Sequence, residues 1–371
     1  MIDQQMSNWS GVPASERRQH ISQYVAFTPS LKVTLGIVGD LYDTWREAPE
    51  GEISFIKGET RAGKTTAIDE FILDKHEAFS KQFEGRDGCH VHPLGPDSAL
   101  WAIEIETKEN GFIRPIVKIQ VSKKPRFKSL FADVLATMGF KKKITDGMTS
   151  DERLNLMTTQ MREQQTRCIV FDEVHHISEY KDPEGMYDAG DVFKIVAKVG
   201  RTGVLCAGLP HMMEIVDANP QVRELIRGNH TVEPFKLDLD PLSDLKQFMA
   251  AVNKEMPFDQ PSCLDEDDIL LRIALMNDMF TGRIAKFVHR VVAYGITVGA
   301  PCIDLQTLVD YVRFKMEIKD DANIFLVARD VVSGYPALME KERKERLLMA
   351  EKRRAKAAQQ ARTKAEFGKR G

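Results

Sequence analysis

Residues near the start of the chain have the types and spacing of a site that holds phosphate groups. The run is Gly58-Glu59-Thr60-Arg61-Ala62-Gly63-Lys64-Thr65, with Thr66 next to it. Glycines let such a loop curl so that several backbone N–H groups point at one anion in front of a helix. The lysine then reaches the terminal phosphates, and the hydroxyl of Thr65 binds Mg²⁺. The run predicts that residues 58–66 bind a nucleoside triphosphate.

A pair of carboxylates supplies the second half of the expected chemistry. The apolar run Cys168-Ile169-Val170-Phe171 is followed directly by Asp172 and Glu173. We expect Asp172 to hold Mg²⁺ through water and Glu173 to act as the general base that polarises the attacking water. A buried strand ending in a turn is the alternative, but the phosphate loop upstream favours the site. Adjacent carboxylates also favour hydrolysis over binding alone, with ATP as the substrate.

Three arginines are candidates for the positive charge that phosphoryl transfer needs on the terminal phosphate. The sequence predicts that Arg227 ends a helix just before the strand 231–237, from where it could project towards a neighbouring subunit. Arg223 lies one turn earlier. Arg283 opens a later helix and could fold over the same nucleotide. Each of them could instead be an ordinary surface arginine.

The elements that must position these residues alternate between short apolar strands and helices. Strands are predicted at 53–57, 113–121, 168–171 and 203–207, with helices at 65–79, 128–138, 150–164 and 189–198. Runs rich in Val and Ile that alternate with helices are typical of an α/β fold, with a parallel sheet flanked by helices. After Pro241 the pattern becomes helical, at 241–255, 266–279, 282–298 and 304–316.

Four segments follow from these patterns. We expect a helical lead-in at 1–50, a nucleotide-binding α/β domain at 51–240, a helical lid domain at 241–336 and a basic tail at 337–371. An insertion at about 84–112 is predicted to be a hairpin. Its Cys89, His90 and His92 lack a second ligand pair, so a structural role is expected. His175 and His176 are adjacent and lack the H-E-x-x-H spacing, so a structural or supporting role is expected for them too.

Composition and charge limit the class of protein. The 371 residues are 43% hydrophobic and 29% charged, and the five cysteines form no C-x-x-C pair. The start of the chain does not resemble a signal peptide, and no apolar stretch is long enough for a membrane span. These features exclude disordered, fibrous and disulfide-framed classes and predict a soluble, cytoplasmic protein without a membrane contact.

The net charge of −3 hides two basic segments. Residues 340–371 carry 12 lysines and arginines against 5 glutamates, and 118–143 carry eight against the single Asp133. Both are candidate contacts for a polyanion, although a solvated surface is the alternative. The tail could instead be a helix that binds a protein partner through Leu347, Leu348 and Met349.

The motifs together resemble a known family. GETRAGKTT, IVFDEVHHI and VLCAGLP, in that order and followed by a helical region that contains TGR, resemble AAA+ P-loop ATPases. More narrowly, the Phe-Thr-Pro lead-in, VSKKPRFKSLFADVLATMGF and DEVHH are similar to the TniB/TnsC-type ATPases of DNA transposition. The resemblance covers about residues 15–315. DE-x-HH also occurs in secretion and defence ATPases of related build.

The resemblance implies a function. In that family ATP drives assembly of a homo-oligomeric ring or helical filament on double-stranded DNA, which recruits and stimulates a DDE transposase, with a TniQ-like target selector as a further possible partner. It implies that Lys64 and Thr65 contact the nucleotide and Mg²⁺, that Asp172 is the metal carboxylate and that Glu173 is the base. It also implies that Arg227 is the arginine finger and Arg283 the lid sensor. The basic loop predicted to face DNA contains Lys123, Lys124, Arg126 and Lys128.

The strand after the carboxylates differs from the usual AAA+ pattern. AAA+ proteins usually place a polar residue near the end of the strand after the carboxylates, whereas here Leu205-Cys206-Ala207-Gly208-Leu209 is apolar. Slow hydrolysis is therefore expected. The alternative function is an AAA+ signalling or scaffold ATPase, in secretion or defence, that gates a protein partner without binding DNA. Only the first function requires the basic segment to face DNA.

Overall fold

A computed structural model describes residues 9–47, 50–180, 182–241 and 243–332, with isolated positions at 334, 345, 348, 349 and 352. The chain divides into two compact units. Ser30–Val232 forms one, called here the nucleotide unit, and the residues up to Pro29 together with those from Glu233 onward form the other, the helical unit. The predicted lead-in is thus shared between them. Most of the predicted basic tail lies outside the described residues.

The nucleotide unit contains all nine strands of the described residues and most of the helices. The strands are β1 Ile53–Gly58, β2 Cys89–Val91, β3 Leu100–Ala102, β4 Ile105–Thr107, β5 Gly111–Ile113, β6 Ile116–Gln120, β7 Cys168–Asp172, β8 Gly203–Gly208 and β9 Ile226–Val232. The helices are α2 Pro29–Asp43, α3 Lys64–Phe83, α4 Phe127–Thr137, α5 Lys142–Thr145, α6 Ser150–Glu163, α7 His175–Tyr180, α8 Pro183–Gly200, α9 Glu214–Ala218 and α10 Pro220–Arg223, with a 3₁₀ turn at Pro210–Met213.

A six-stranded sheet in the order β3-β6-β7-β8-β1-β9 forms the centre of this unit. Strands β6, β7, β8, β1 and β9 run parallel, and only the edge strand β3 is antiparallel. The residues of β7 and β8 are all buried, as expected for strands covered on both faces. Side chains of α4, α6 and α8 join the sheet in one hydrophobic core. The predicted α/β class with a mainly parallel sheet is confirmed.

The segment 84–112 is more than the predicted hairpin. Strands β4 and β5 do form one, but β2 pairs with β4 to complete a separate three-stranded antiparallel sheet. Strand β3, although it lies between β2 and β4 in sequence, is not part of this small sheet and pairs with β6 at the edge of the main sheet. Three-residue strands lack a readable periodicity, so sequence patterns do not reveal this pairing.

The helical unit contains α1 Ala14–Gln23, α11 Asp244–Lys254, α12 Asp267–Met276, α13 Thr281–Val298 and α14 Leu305–Lys315, with a 3₁₀ turn at Asp320–Ala322. Its core includes Phe248, Leu270, Val288 and Leu308. The start of α14 is capped by Asp304, whose side chain accepts a hydrogen bond from Thr307 N–H. The helices predicted after Pro241 are confirmed.

Two predictions from composition can be compared with this fold. All five cysteines are free thiols, in agreement with the absence of a disulfide framework. Among the described residues no helix combines the length and apolar character that crossing a bilayer requires.

Candidate nucleotide-binding site

The phosphate loop connects the end of β1 to the start of α3, so it lies at the carboxyl edge of the parallel strands. Two glycines are required by its shape. Gly63 has φ of 103°, in the left-handed region that favours glycine. A Cβ at Gly58 would lie 2.7 Å from the backbone oxygen of Val232 on the adjacent strand β9. These two positions fix the shape of the loop, which leads directly into the N-terminus of α3, a position that favours phosphate groups.

Lys64 is held inside this loop. Its side chain is buried, and its Nζ donates hydrogen bonds to the carbonyl oxygens of Gly58 at 2.7 Å and Glu59 at 3.0 Å. Burial lowers the pKa of the lysine, while the negative charges of Asp172, Glu173 and Glu59 oppose that shift. Phosphate oxygens would replace the two carbonyls as partners of the ammonium group.

Thr65 and Asp172 meet although 107 residues separate them. The Thr65 hydroxyl donates a hydrogen bond of 2.8 Å to Asp172 Oδ2, which places an alcohol oxygen beside a carboxylate oxygen. Such oxygens are the ligands that Mg²⁺ prefers, usually with several waters retained. Asp172 is buried at the end of β7 and next to the phosphate loop. These residues fit a magnesium ion that accompanies a nucleotide.

Glu173 occupies a special backbone conformation directly after β7. Its φ is 58°, in the left-handed region, and its N–H donates a hydrogen bond of 2.8 Å to Asp172 Oδ1. Such conformations are enriched at functional sites, where the surrounding structure maintains them. Burial, and then the charge of Asp172, raise the pKa of the Glu173 carboxyl. A raised pKa makes a carboxylate a stronger proton acceptor, as a general base requires.

Histidines surround this carboxylate. His175 Nε2 lies 3.3 Å from Glu173 Oε2, and His176 Nδ1 lies 3.0 Å from Glu179 Oε2. Ligand atoms of Glu173, His175 and His176 all lie within 4.8 Å of one another, which is close enough to hold a metal ion. Burial, and then His176, lower the pKa of His175 to about 4, so its imidazole is neutral near pH 7.

The two arginines of the nucleotide unit differ from the expectation. Arg227 does not end a helix: it lies in β9, because residues from Ile226 onward pair with β1. Its Nη1 is 2.8 Å from both carboxylate oxygens of Glu52. Arg223 is the arginine at a helix end, in α10, and its side chain is 65% exposed, with Asp217 Oδ1 at 3.1 Å. The predicted strand 231–237 is β9 at 226–232, about five residues earlier.

Arg283 belongs to the helical unit, in the first turn of α13. It forms an ion pair with Asp278, and its guanidinium lies 4.8 Å from the centre of the Phe280 ring. Its role as a lid sensor for nucleotide stays a prediction.

The basic segment 118–143 separates into a buried and an exposed part. Lys118 is only 1% exposed and forms an ion pair with Asp69 of α3, so it cannot contact a polyanion. The residues that follow β6 are different, because the four predicted DNA contacts are exposed: Lys123, Lys124 and Arg126 in the loop between β6 and α4, and Lys128 in the first turn of α4. The Val121 N–H donates to the Asp172 carbonyl oxygen at 2.8 Å, so this loop begins beside the carboxylates.

Comparison with known proteins places these features in a family context. The family model for bacterial TniB protein matches residues 102–230, about a third of the chain, which include the carboxylates and the basic loop. Cdc6p from Pyrobaculum aerophilum has a TM-score of 0.51 at 14% identity, over 85% of this chain and 73% of that one. Drosophila ORC bound to DNA has a TM-score of 0.50 at 11% identity, over 83% and 67%.

The chain has the AAA+ fold and resembles TniB. At these identities the two structural likenesses establish the fold alone. No curated protein matches the sequence. The AAA+ fold accounts for the phosphate loop and the carboxylates on neighbouring loops at one edge of the sheet, where ligands of open α/β sheets bind.

Two contacts near the candidate site were not predictable from sequence patterns. Lys118 lies within the apolar run IVKIQV, and a lysine in a buried strand is a signal that a carboxylate must face it. No local signal identifies that partner as Asp69. Likewise, the contact between His175 and Glu173 depends on the left-handed turn at Glu173, which the sequence does not reveal.

Proposed function

We propose that this protein is an ATP-dependent, DNA-binding AAA+ regulator of transposition, located in the cytoplasm, that assembles on target DNA and stimulates a DDE transposase. The observation that supports it most is the meeting of Lys64, Thr65, Asp172 and Glu173 at one edge of the sheet, with the hydroxyl of Thr65 2.8 Å from Asp172. The TniB match over 102–230 supports the assignment to transposition.

The proposed reaction is hydrolysis of ATP. Lys64 would exchange its carbonyl partners for phosphate oxygens, and Thr65 and Asp172 are the residues that would hold a magnesium ion. Bound Mg²⁺ would neutralise charge that develops on the phosphate oxygens. Glu173 accepts a proton from the attacking water, and its raised pKa suits that role. The apolar end of β8 supports slow turnover, which suits an ATPase that times an assembly.

A homo-oligomer, either a ring or a helical filament, would complete each site with an arginine from a neighbouring subunit. Arg227 is the predicted finger, but its guanidinium is bound on both carboxylate oxygens of Glu52. Arg223 is more exposed and ends α10, so it is the alternative that the geometry favours. Arg283 is proposed as the lid sensor of the same site.

Double-stranded DNA is the proposed polyanion. The exposed side chains of Lys123, Lys124, Arg126 and Lys128 would contact phosphates repeated along a duplex, which gives tight binding with little sequence preference. A DDE transposase and a TniQ-like target selector are proposed as protein partners on the basis of the likeness to TniB.

Electron microscopy of the protein with duplex DNA and a slowly hydrolysed ATP analogue tests this function. We expect rings or filaments that contain DNA, and none with Lys64→Ala, because no other side chain supplies the charge between the phosphates. A protein that binds ATP but never assembles on DNA would contradict the proposal and favour the AAA+ signalling or scaffold ATPase that gates a protein partner.

A further inference from the structure

The carboxyl end of β8 lacks the polar side chain that hydrolysis in an AAA+ protein calls for. The strand ends in Cys206, Ala207 and Gly208, all buried. A Cβ built on Gly208 would lie 3.1 Å from the backbone nitrogen of His175 and 3.2 Å from its Nδ1. The backbone and imidazole of His175, together with the Met212 sulfur at 3.1 Å, therefore crowd the position that a side chain at Gly208 would take.

The two nitrogens of this imidazole face different partners. His175 Nδ1 accepts a hydrogen bond from the Leu209 N–H at 3.4 Å, and Nε2 lies 3.3 Å from Glu173 Oε2. A neutral imidazole has one acceptor nitrogen and one donor nitrogen. Because Nδ1 accepts, the proton is on Nε2, the nitrogen that lies within ion-pair distance of the Glu173 carboxylate. The pKa of about 4, lowered mainly by burial, keeps the ring in this neutral form near pH 7.

We propose that His175 is a positioning residue that restrains the general base Glu173 through the 3.3 Å contact between its protonated Nε2 and Glu173 Oε2, and so replaces the polar residue missing from β8. The Leu209 N–H orients the ring, and the ring in turn limits the rotamers of the carboxylate. The inference rests on the proposed ATPase activity and specifies how its base is oriented.

A metal ion held by Glu173, His175 and His176 is the competing explanation for the same cluster, since their ligand atoms lie within 4.8 Å. Two contacts oppose it. A metal on His175 Nε2 would move the ring proton to Nδ1, where it would face the Leu209 N–H, donor against donor. His176 Nδ1 lies 3.0 Å from Glu179 Oε2, so only its Nε2 would remain to bind a metal ion. The hydrogen-bonded arrangement thus suits a proton donor better than a metal ligand.

Steady-state ATP hydrolysis of the full chain, with nucleotide affinity and thermal melting measured alongside, tests the proposal. We expect His175→Ala to lower kcat about 10- to 100-fold, since small displacements of a reacting group can cost this much, with KM for ATP changed by less than about twofold. His175→Gln, which retains a donor, should recover part of the rate. His176→Ala is the matched control and should retain the kcat of the wild type.

Two further variants separate positioning from a structural role. In a Glu173→Gln background, His175→Ala should cause no additional loss of kcat, because the group through which it acts is already gone. Gly208→Ala should lower kcat while His175 is intact, because its Cβ would lie 3.1 to 3.2 Å from the backbone and ring nitrogens of His175 and would shift the imidazole slightly. If His175→Ala does not fold, the Gly208→Ala rate decides.

Several results would overturn the inference. One is an unchanged kcat in His175→Ala or in Gly208→Ala. Another is that His175→Ala lowers kcat in the Glu173→Gln background by the same factor as in the wild type. A third is stoichiometric Zn²⁺ binding by calorimetry that His175→Ala abolishes, because the histidine would then be a metal ligand. A wild-type protein that binds ATP without hydrolysing it would instead refute the proposed ATPase function.

Discussion

Replacing Lys123 and Lys124 together by alanine should weaken DNA binding most at low salt and leave nucleotide binding intact. Both side chains are exposed in the loop between β6 and α4. The loop follows the carboxyl end of β6, which is hydrogen-bonded in parallel to β7, the strand that ends at Asp172. The substitutions remove charge from a solvated loop, so we expect no change in the fold.

The size of the effect follows from counterion release. Each lysine that neutralises one phosphate contributes about −0.9 to the slope of log K against log salt. Loss of Lys123 and Lys124 should therefore reduce the magnitude of the slope by about 1.8 if each meets one phosphate, and by about one if only one does. Over a fourfold rise in salt, from about 50 to about 200 mM, a change of 1.8 shrinks the wild-type advantage about 12-fold.

Fluorescence anisotropy on two duplexes of unrelated sequence, at several salt concentrations and with a slowly hydrolysed ATP analogue, measures this slope. The loss should be similar on both duplexes, because phosphate contacts do not depend on sequence. The matched control replaces Lys141 and Lys142, which are equally exposed at the start of α5. That variant should retain the slope of the wild type.

The reasoning is refuted if the variant lacking Lys123 and Lys124 binds DNA with the affinity and slope of the wild type. A reduced slope in the control alone would move the contact to 141–143. A reduced slope in neither variant would leave the rest of the basic loop, and the tail, as the remaining candidates for the DNA contact.

Three further predictions concern the nucleotide site. Lys64→Ala should abolish ATP binding and assembly. Glu173→Gln should bind ATP but stall hydrolysis and leave long-lived oligomers on DNA, and unchanged turnover in this variant would exclude Glu173 as the base. If Arg227 is the finger, Arg227→Ala should bind ATP but lose turnover, and mixing it with Lys64→Ala should restore activity. If that mixture stays inactive but a mixture of Arg223→Ala with Lys64→Ala is active, the finger is Arg223. The free energy of unfolding should fall as the pH is lowered from 6.5 to 4, because His175 has a pKa of about 6.5 in the unfolded chain but of about 4 in the folded one. This pH-dependent loss amounts to about 3 kcal/mol, and His175→Gln should not show it in a denaturation series at the same pH values.

Local chemistry in the sequence was enough to single out the loop 58–66 and the carboxylates Asp172 and Glu173, and the structure brings Thr65 and Asp172 into contact. The motif is contiguous in sequence, with Gly63 in its left-handed conformation directly before Lys64 at the start of α3. Asp172 and Glu173 could be recognised because an apolar strand ends at that point. The helices after Pro241 were also predictable, since their apolar residues repeat with the period of a helix.

Tertiary structure alone decided which distant groups meet. Arg227 lies in a strand because β9 pairs with β1, and its partner Glu52 is 175 residues away in sequence. Lys118 belongs to a basic segment by sequence, yet the fold buries it against Asp69. His175 lies against the end of β8 because β7 and β8 are neighbours in the sheet and Gly208 leaves room for the ring. Periodicity specifies which residues face a core, whereas the partner of a charged group depends on strand order and on contacts between residues far apart in the chain.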